Sequence, residues 1–581
     1  MVIRSGPGPL RLAHSIWLVP ATVLAVYLYT LTPVVGLIDS GELAAGCRLL
    51  NILHPTGYPL YTVLGRVVSL VPVASVVQRV AALSAILAAV GVGLILLLMQ
   101  WLGTRPGAAG VTASLFAFSF PVWSVAVDVE VYALTVVLSI AIWLAVTGAS
   151  GRTLLLAGYL GGLALTNHMS VVSVLVGAGI VLVVERGGFL RRRLVAFSLL
   201  FILGLSLYLF LVLRARAGPL LAWGNTVSLE RLFWHVTGKQ YQVWMFSLPF
   251  PQVVANAGKG LVLLARSFLY VLVPVVFYGA VRLYKERRGL CIGLAMSAIL
   301  CFLYAVNYSI PDIEAYYLPC LVALMVFFGI GLQAIAARLG RWQHLAWAAG
   351  VAALVFNYPA ASRRDFHVSQ DEAMNTLASA EDDAIILTDW WDVYSPIFYL
   401  QHIEGVRPDV CIIDKELVRR SWYLVYLEKA YPWLIESARA ELVPYLRYLD
   451  EFEHDRLRDP EGTQRAYIRL LESFVENNPE RPAYVTFAKG SNLDASQMFP
   501  HMRWVPVGLL FELRADSVIT GFDYSRFNVR LPRRPDSRTQ ANLYRYQMFC
   551  QARISALVGS GRTDEAEQVV RWYRATFETS E

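Results

Sequence analysis

Acidic residues are almost missing from the first 357 positions of this 581-residue chain: nine of its 43 Asp and Glu lie there and 34 follow. Charge of either sign is sparse overall, at 16% against 56% hydrophobic residues, which excludes an ordinary soluble globular protein and points to a polytopic membrane protein. Cysteine is scarce as well. The six thiols (Cys47, Cys291, Cys301, Cys320, Cys411 and Cys550) form no Cys-x-x-Cys and no Cys/His cluster at ligand spacing, so neither a zinc site nor a disulfide framework is expected. No nucleic-acid partner is expected either: 23 of the 50 Lys and Arg lie in the acid-poor part, flanking apolar runs, and the remaining 27 are outnumbered by acids. Span lengths show no inverted repeat and no matched pair of Gly/Pro-broken helices. That weighs against the alternative of a transporter; a catalytically silent scaffold presenting an outer domain is the other alternative.

A membrane span needs about 20 mostly apolar residues. Such runs lie near 15–33, 76–101, 107–123, 131–148, 153–166, 169–185, 194–213, 255–281, 289–306, 315–337 and 342–357, eleven in all. The first follows Arg4 and Arg11 without a small-residue cleavage site and reads as a retained helix. Short loops rich in Lys and Arg stay cytoplasmic. With the N-terminus inside, the inner ends collect Arg4, Arg11, Arg105, Arg152, Arg186, Arg191, Arg192, Arg193, Arg282, Lys285, Arg287, Arg288, Arg338 and Arg341. Eleven spans then place the acidic C-terminal part outside, in the plasma (inner) membrane of a prokaryote. Fusing the two runs around Asn167 reverses that side.

After residue 357 the pattern becomes soluble α/β. "AIILTDWW" (384–391), "VCIID" (410–414), "AYVTF" (483–487) and "GLLFEL" (508–513) read as short buried strands, with helical stretches at 421–449 and 463–477. From about Gln540 two amphipathic helices break at "GSGRTDEA", with Thr563 as N-cap, and resemble one tetratricopeptide (TPR-like) unit. The expected organisation is a transmembrane domain over 1–357, an extracytoplasmic α/β domain over 358–539 and a helical hairpin over 540–581.

Three outer loops each carry an acid pair: Asp39/Glu42, Asp128/Glu130 and Asp312/Glu314. Asp39-Ser40 also reads as a helix N-cap with Glu42 at a capping-box position. Three such pairs on one face of an acid-poor membrane domain favour a shared polar cavity. Arg214 and Arg216 end the seventh run, and Arg266 lies within the eighth, where an anionic partner is expected; the guanidinium fork suits phosphate. The aromatic segment "WGNTVSLERLFWHVTGKQYQVWMF" (223–246), with His235 and Lys239, reads as an amphipathic helix in the outer interface.

The stretches "DSGELAAGCRLLNILHPTGYPLY", "DVEVYAL", "GLALTNHMS", "WGNTVSLERLFWHVTGKQY" and "NYSIPDIEAYYLP" resemble a membrane-protein family long described only as a domain of unknown function, whose eukaryotic members include a protein O-mannosyltransferase. The resemblance runs over about residues 20–420. It implies a GT-C glycosyltransferase fold acting on a polyprenyl-phosphate sugar, with an acid of the first outer loop at the active site. Asn225 stands where relatives are expected to have Asp. Direct displacement of a lipid phosphate by an acceptor hydroxyl needs a base and a cationic pocket. On this reading Asp39 is the base and Glu42 orients acceptor or sugar. His54 and the Pro-rich turn with Tyr58 form the floor. Asp128, Glu130, Asn167, His168, His235, Lys239, Asp312 and Glu314 are further substrate-binding candidates, and Arg214, Arg216 or Arg266 face the phosphate. The sugar is mannose or another hexose, and the acceptor a protein Ser/Thr or an envelope glycan. No metal cofactor is required, although the paired acids leave room for a divalent ion.

Overall fold

The computed structural model describes residues 15–578 except Ala149, 340–343 and 345. Arg4, Arg11 and Arg341, counted above among the inner cations, lie outside the described residues. The first apolar run forms α1 (Ser15–Tyr29). Beyond it the chain makes two short helices before it re-enters apolar sequence: α2 (Ser40–Leu49), which ends on Leu50 in the left-handed region, and α3 (Pro59–Ser69), whose leading proline has no amide hydrogen to leave unpaired. A complete capping box of Ser75 and Gln78 starts α4 (Val76–Trp101). The run at 107–123 is not one rod: α5 (Pro106–Ala117) and α6 (Phe120–Ala126) meet at 64°, with Ser119 and Pro121 opening the second helix.

Next come α7 (Tyr132–Thr147), α8 (Gly151–Leu165), α9 (Val172–Leu205) and α10 (Leu209–Arg216). The runs on either side of Asn167 are separate helices. By contrast, the stretch expected as a cationic loop at 186–193 is helical, and only Arg186 leaves helical geometry, at a kink within α9. The aromatic segment folds not as one interfacial helix but as α11 (Leu229–Val236) followed by a 3₁₀ stretch, Lys239–Trp244. The run at 255–281 is likewise divided, into α12 (Phe250–Ser267) and α13 (Val273–Glu286). Leu269 and Tyr270 take positive φ between them, and Pro274 starts the second helix. Arg266 therefore sits in the last turn of α12, not inside a continuous span. α14 (Arg288–Val306), α15 (Leu318–Leu339) and α16 (Trp347–Ala361) complete the bundle. Helices close tightly where glycines face each other: a Cβ at Gly177 or Gly279 would run into the carbonyl of Gly293 or Phe327 on the neighbouring helix.

Five helices of the described residues are long and apolar enough to cross a membrane, six if α5 and α6 form one bent span, and four shorter apolar helices accompany them. The chain is an integral membrane protein.

After α16 ends at Ala361 the chain continues with α17 (Val368–Ala378) and turns to mixed α/β structure. Its strands are β1 (Ile385–Thr388), β2 (Cys411–Asp414), β3 (Ala483–Val485), β4 (Arg503–Val507) and β5 (Leu510–Arg514), in the order β2-β1-β3-β5-β4. β1 pairs parallel with β2 and β3, and all three are buried throughout, so they read as unbroken apolar runs. The remaining pairings are antiparallel. β4, not expected from sequence, is an edge strand, the place where Pro506 is tolerated. α18 (Trp391–Tyr399) follows β1. The stretch 421–449 divides at Pro432 and Ala438 into α19 (Ser421–Ala430), α20 (Pro432–Ser437) and α21 (Arg439–Glu453), and α22 (Pro460–Glu476) precedes β3. A short α23 (Leu493–Gln497) joins β3 to β4.

The terminal pair is α24 (Ser537–Gly559) and α25 (Thr563–Phe577); Thr563 is the first helical residue and Arg562 holds the N-cap position, without a side-chain cap. α24 is no separate appendage. Arg545 pairs with the fully buried Glu372 of α17 at 2.7 Å, and Arg553 donates to the carbonyl of Pro506 in β4.

Candidate functional site

The loop between α1 and α2 and the His-Pro turn between α2 and α3 build the centre of the site. Asp39 holds the N-cap position of α2, yet its carboxylate caps nothing. Instead its Oδ1 accepts the indole N–H of Trp391 at 2.9 Å. Glu42, one turn into α2, points inward. Its Oε1 accepts the backbone N–H of His54 at 2.8 Å, and its Oε2 lies 2.6 Å from His54 Nδ1. The other ring nitrogen, Nε2, is 2.9 Å from the Tyr58 hydroxyl and 3.6 Å from Asp39 Oδ2. Side-chain exposure grades these groups: 2% for Glu42, 12% for His54 and 28% for Asp39. Asp39 and His54 therefore face the open space, and Glu42 acts from beneath through His54.

That space is a cavity of about 160 Å³. Asp39, His54, Tyr58, His168 and Asp312 line it, together with Tyr132, Tyr241, Trp244, Tyr304, Tyr308 and Tyr316. The rings pack edge to face and tilted, Tyr132 to Tyr316 at 5.6 Å and Tyr308 to Tyr316 at 5.4 Å, giving walls with apolar faces and hydroxyl tips. His168 accepts the Ser170 N–H on Nδ1 at 3.1 Å, which places its proton on Nε2.

Burial disfavours a charged imidazole at His54, but the carboxylates of Glu42 and Asp39 outweigh it and push its pKa up to about 9. Burial also raises Glu42, against the opposing pull of His54, so the pair holds a proton through neutral pH. Asp312 is pushed up to about 7, first by burial and then by the negative charge of Asp39. Each of these groups binds its proton more tightly folded than unfolded, so each favours the fold at low pH. The Asp312 contribution is present below about 3.8 and lost as pH rises through about 7; the His54 contribution is present below about 6.5 and lost through about 9. In thermal scans, His54→Gln is expected to flatten the parent's loss of Tm between pH 6.5 and 9 and Asp312→Asn the loss between pH 4 and 7. Parallel curves for parent and variants would remove these groups from the pH response.

The other expected site residues lie apart from the cavity. Asp128 accepts the Ser40 hydroxyl at 3.1 Å and lies against Gly36, bracing the start of α2. Glu130 is tied through its backbone to Ser84. Asn167 donates to Val131 O and Thr135 Oγ1, holding the α8–α9 turn to α7. His235 is buried against Gly57 and Gly224. Lys239 pairs with Asp455 at 2.8 Å and covers Trp234, joining the aromatic segment to the C-terminal α/β part. Glu314 sits on the 3₁₀ turn Ile313–Tyr317, off the cavity.

The arginines correct the expectation of a cationic phosphate pocket. Arg214 donates to Leu50 O at 2.9 Å at the end of α2, and Arg216 is exposed. Arg266 finds a neutral partner rather than an anion: it donates to Asn357 Oδ1 at 3.0 Å and stacks on Phe120 and Phe356. Among the described residues lining the cavity there is no Lys or Arg. Arg266→Ala is accordingly expected to lower Tm by loosening α12 from α16 while leaving donor binding within about twofold, since the groups it touches are packing partners; a selective loss of donor binding would restore its assignment to phosphate.

Trp391 and the tyrosines of 304–316 were not singled out from sequence. The spacing of Tyr304, Tyr308 and Tyr316 around "NYSIPDIEAYY" was the available signal for the second. One carboxylate oxygen each of Asp39 and Glu42 and one His54 nitrogen lie within 4.8 Å of one another, a donor set that a divalent ion accepts.

Fold and site together define an integral membrane protein whose loops enclose a carboxylate–imidazole cavity walled by aromatic rings, with Trp391 of the C-terminal α/β part reaching it through Asp39. Residues 39–188 match the family model described as the protein O-mannosyl-transferase TMEM260 N-terminal domain, and residues 369–432 match TMEM260-associated domain 2. The first segment carries Asp39, Glu42 and His54, and the second carries Trp391. The chain is 27% identical over 477 residues to the protein O-mannosyl-transferase TMEM260 of Mus musculus, covering 74% of this chain and 66% of that one. It is 20% identical over 475 residues to the Dictyostelium discoideum protein of the same name, covering 69% and 57%. The chain is thus similar to these two proteins, and its alignments span under two thirds of their length. Among solved structures it is similar to ArnT from Cupriavidus metallidurans in the apo state, at 14% identity and a TM-score of 0.46, over 86% of this chain and 97% of that one. It is also similar to the same protein bound to undecaprenyl phosphate, at 14% and 0.44, over 88% and 100%.

Proposed function

We propose that the chain is an inverting GT-C-type glycosyltransferase that moves a sugar, mannose or another hexose, from a polyprenyl phosphate to a hydroxyl acceptor on the extracytoplasmic face. The observation that carries this reading is the partly exposed Asp39 carboxylate on the wall of an aromatic cavity, in a membrane protein similar to named O-mannosyl-transferases. Asp39 takes the proton of the acceptor hydroxyl as its oxygen bonds to the anomeric carbon. The bond from that carbon to the phosphate oxygen breaks, and polyprenyl phosphate leaves with the electron pair. The protonated His54, 3.6 Å from Asp39, takes the role first given to the arginines and faces the leaving phosphate. The tyrosine walls present apolar faces to the ring carbons of a pyranose and hydroxyls to its edges. The acceptor is a protein Ser/Thr or a glycan, and the soluble domain shares the extracytoplasmic side with the Asp39 loop.

The test is incubation of purified protein with a radiolabelled polyprenyl-phosphate mannose, with and without chelator. Donor turnover or slow hydrolysis that survives chelator is expected. Turnover abolished by chelator would put an ion on the Asp39–Glu42–His54 donors. A donor left intact across lipid-linked hexoses would reduce the chain to a membrane scaffold.

A further inference from the structure

We propose that Trp391 and Asp392, which open α18 in the soluble domain, are positioning residues for Asp39, so that the reaction centre is completed by the second domain. This rests on the glycosyl-transfer reading above. Three contacts run in register along α18. Asp392 Oδ1 accepts the N–H of Ile38 at 2.9 Å, Trp391 Nε1–H donates to Asp39 Oδ1 at 2.9 Å, and Ser395 Oγ accepts the N–H of Glu42 at 3.1 Å. Neighbouring side chains of α18 thus hold the backbone of the residue before the base, the base itself, and the backbone of the residue whose carboxylate holds His54.

The geometry is more specific than domain docking requires. The indole fixes one carboxylate oxygen of Asp39 and leaves the other, Oδ2, toward His54 and the cavity. Ile38 is β-branched and carries φ of 56°, a conformation such residues rarely adopt, so the backbone entering Asp39 is held by its surroundings. Asp392 does that holding while fully buried. It is paired with Arg538 of α24 at 2.6 and 2.9 Å and accepts from Asn542 at 2.8 Å, so its carboxylate cannot swing away. Docking itself has other means: Ser369 donates to Gly36 O at 2.7 Å, Val77 donates to the Tyr399 hydroxyl at 3.2 Å, and Gly41 admits the Ser395 backbone where a Cβ would clash. Removing the Trp391 donor leaves those contacts intact.

The experiment uses full-length protein in detergent or nanodiscs. Trp391→Phe keeps an aromatic ring, smaller than the indole, and removes the donor. Because hydrogen bonds to charged groups are among the stronger ones, single-turnover transfer is expected to fall about 10- to 100-fold, with polyprenyl-phosphate-mannose binding within about threefold and Tm unchanged. Trp391→His retains an N–H and is expected to recover part of the rate. Asp392→Asn, which loses its pairing with Arg538, is expected to lower both rate and Tm. In 5-fluorotryptophan protein, the Trp391 resonance, assigned by its absence in Trp391→Phe, is expected to shift in Asp39→Asn. Trp391→Phe transfer within twofold of the parent, or a fluorine resonance unmoved by Asp39→Asn, overturns the proposal. A parent that transfers no sugar from any lipid donor overturns the reaction reading and the positioning role with it; the fluorine shift separates that outcome from absence of the contact.

Discussion

Asp39→Asn is expected to slow single-turnover transfer by about a hundred- to ten-thousand-fold, the usual cost of removing a positioned general base, while the lipid donor still binds. The substitution is nearly isosteric, and the amide oxygen still accepts the Trp391 indole, so the clamp from α18 persists. Stability should fall only by the smaller share of the His54 charge that Asp39 supports, after Glu42. The carboxylate makes no capping hydrogen bond to α2, so no cap is lost, contrary to what Asp-Ser before a helix suggests. What goes is the proton acceptor at Oδ2, beside His54. A folded Asp39→Asn protein with near-parental transfer would pass the role of base to Asp312, the other carboxylate on the cavity wall. Asp39→Asn also removes the negative charge that helps raise Asp312, so the surviving activity would follow an Asp312 ionisation lower than in the parent.

The acid-poor first 357 residues and the apolar runs made the membrane character legible, and four of the five strands announced themselves as buried apolar stretches. Hydropathy did not show where a run breaks, because Leu269 and Tyr270 are as apolar as their neighbours and the break lies in their φ angles. Proximity in sequence gave Asp39, Glu42, His54 and Tyr58 as one motif, and the fold keeps them together. The arginines misled for a physical reason: a cation in an apolar helix demands a partner, but an amide oxygen, a helix-end carbonyl or an aromatic face serves as well as phosphate. Trp391 was out of reach, since it arrives 352 positions after Asp39, by a domain interface that no local pattern encodes.

Glu42→Gln is the second large effect expected, and it falls on stability first. From sequence Glu42 was expected to orient acceptor or sugar. The fold buries Glu42 and gives both its oxygens to His54. A glutamine keeps the contact to the His54 amide but withdraws the charge that sustains the imidazolium, leaving burial unopposed on that side. His54 then releases its proton instead of staying charged and unpaired, which limits the cost: holding a group at about 9 rather than 6.5 matters at pH 7 by about two pH units, or roughly 3 kcal/mol. The loss should therefore be greatest below pH 8 and shrink as the parent's own His54 deprotonates near pH 9. Transfer should fall as well, because the departing phosphate loses its facing cation. A double-mutant cycle in denaturant at pH 7 isolates the pair. His54→Gln alone removes the charge together with its need for a partner, so Glu42→Gln should cost little in that background. Strictly additive effects would show that the two side chains stabilise the fold independently, and the phosphate-facing charge would have to be sought outside this pair.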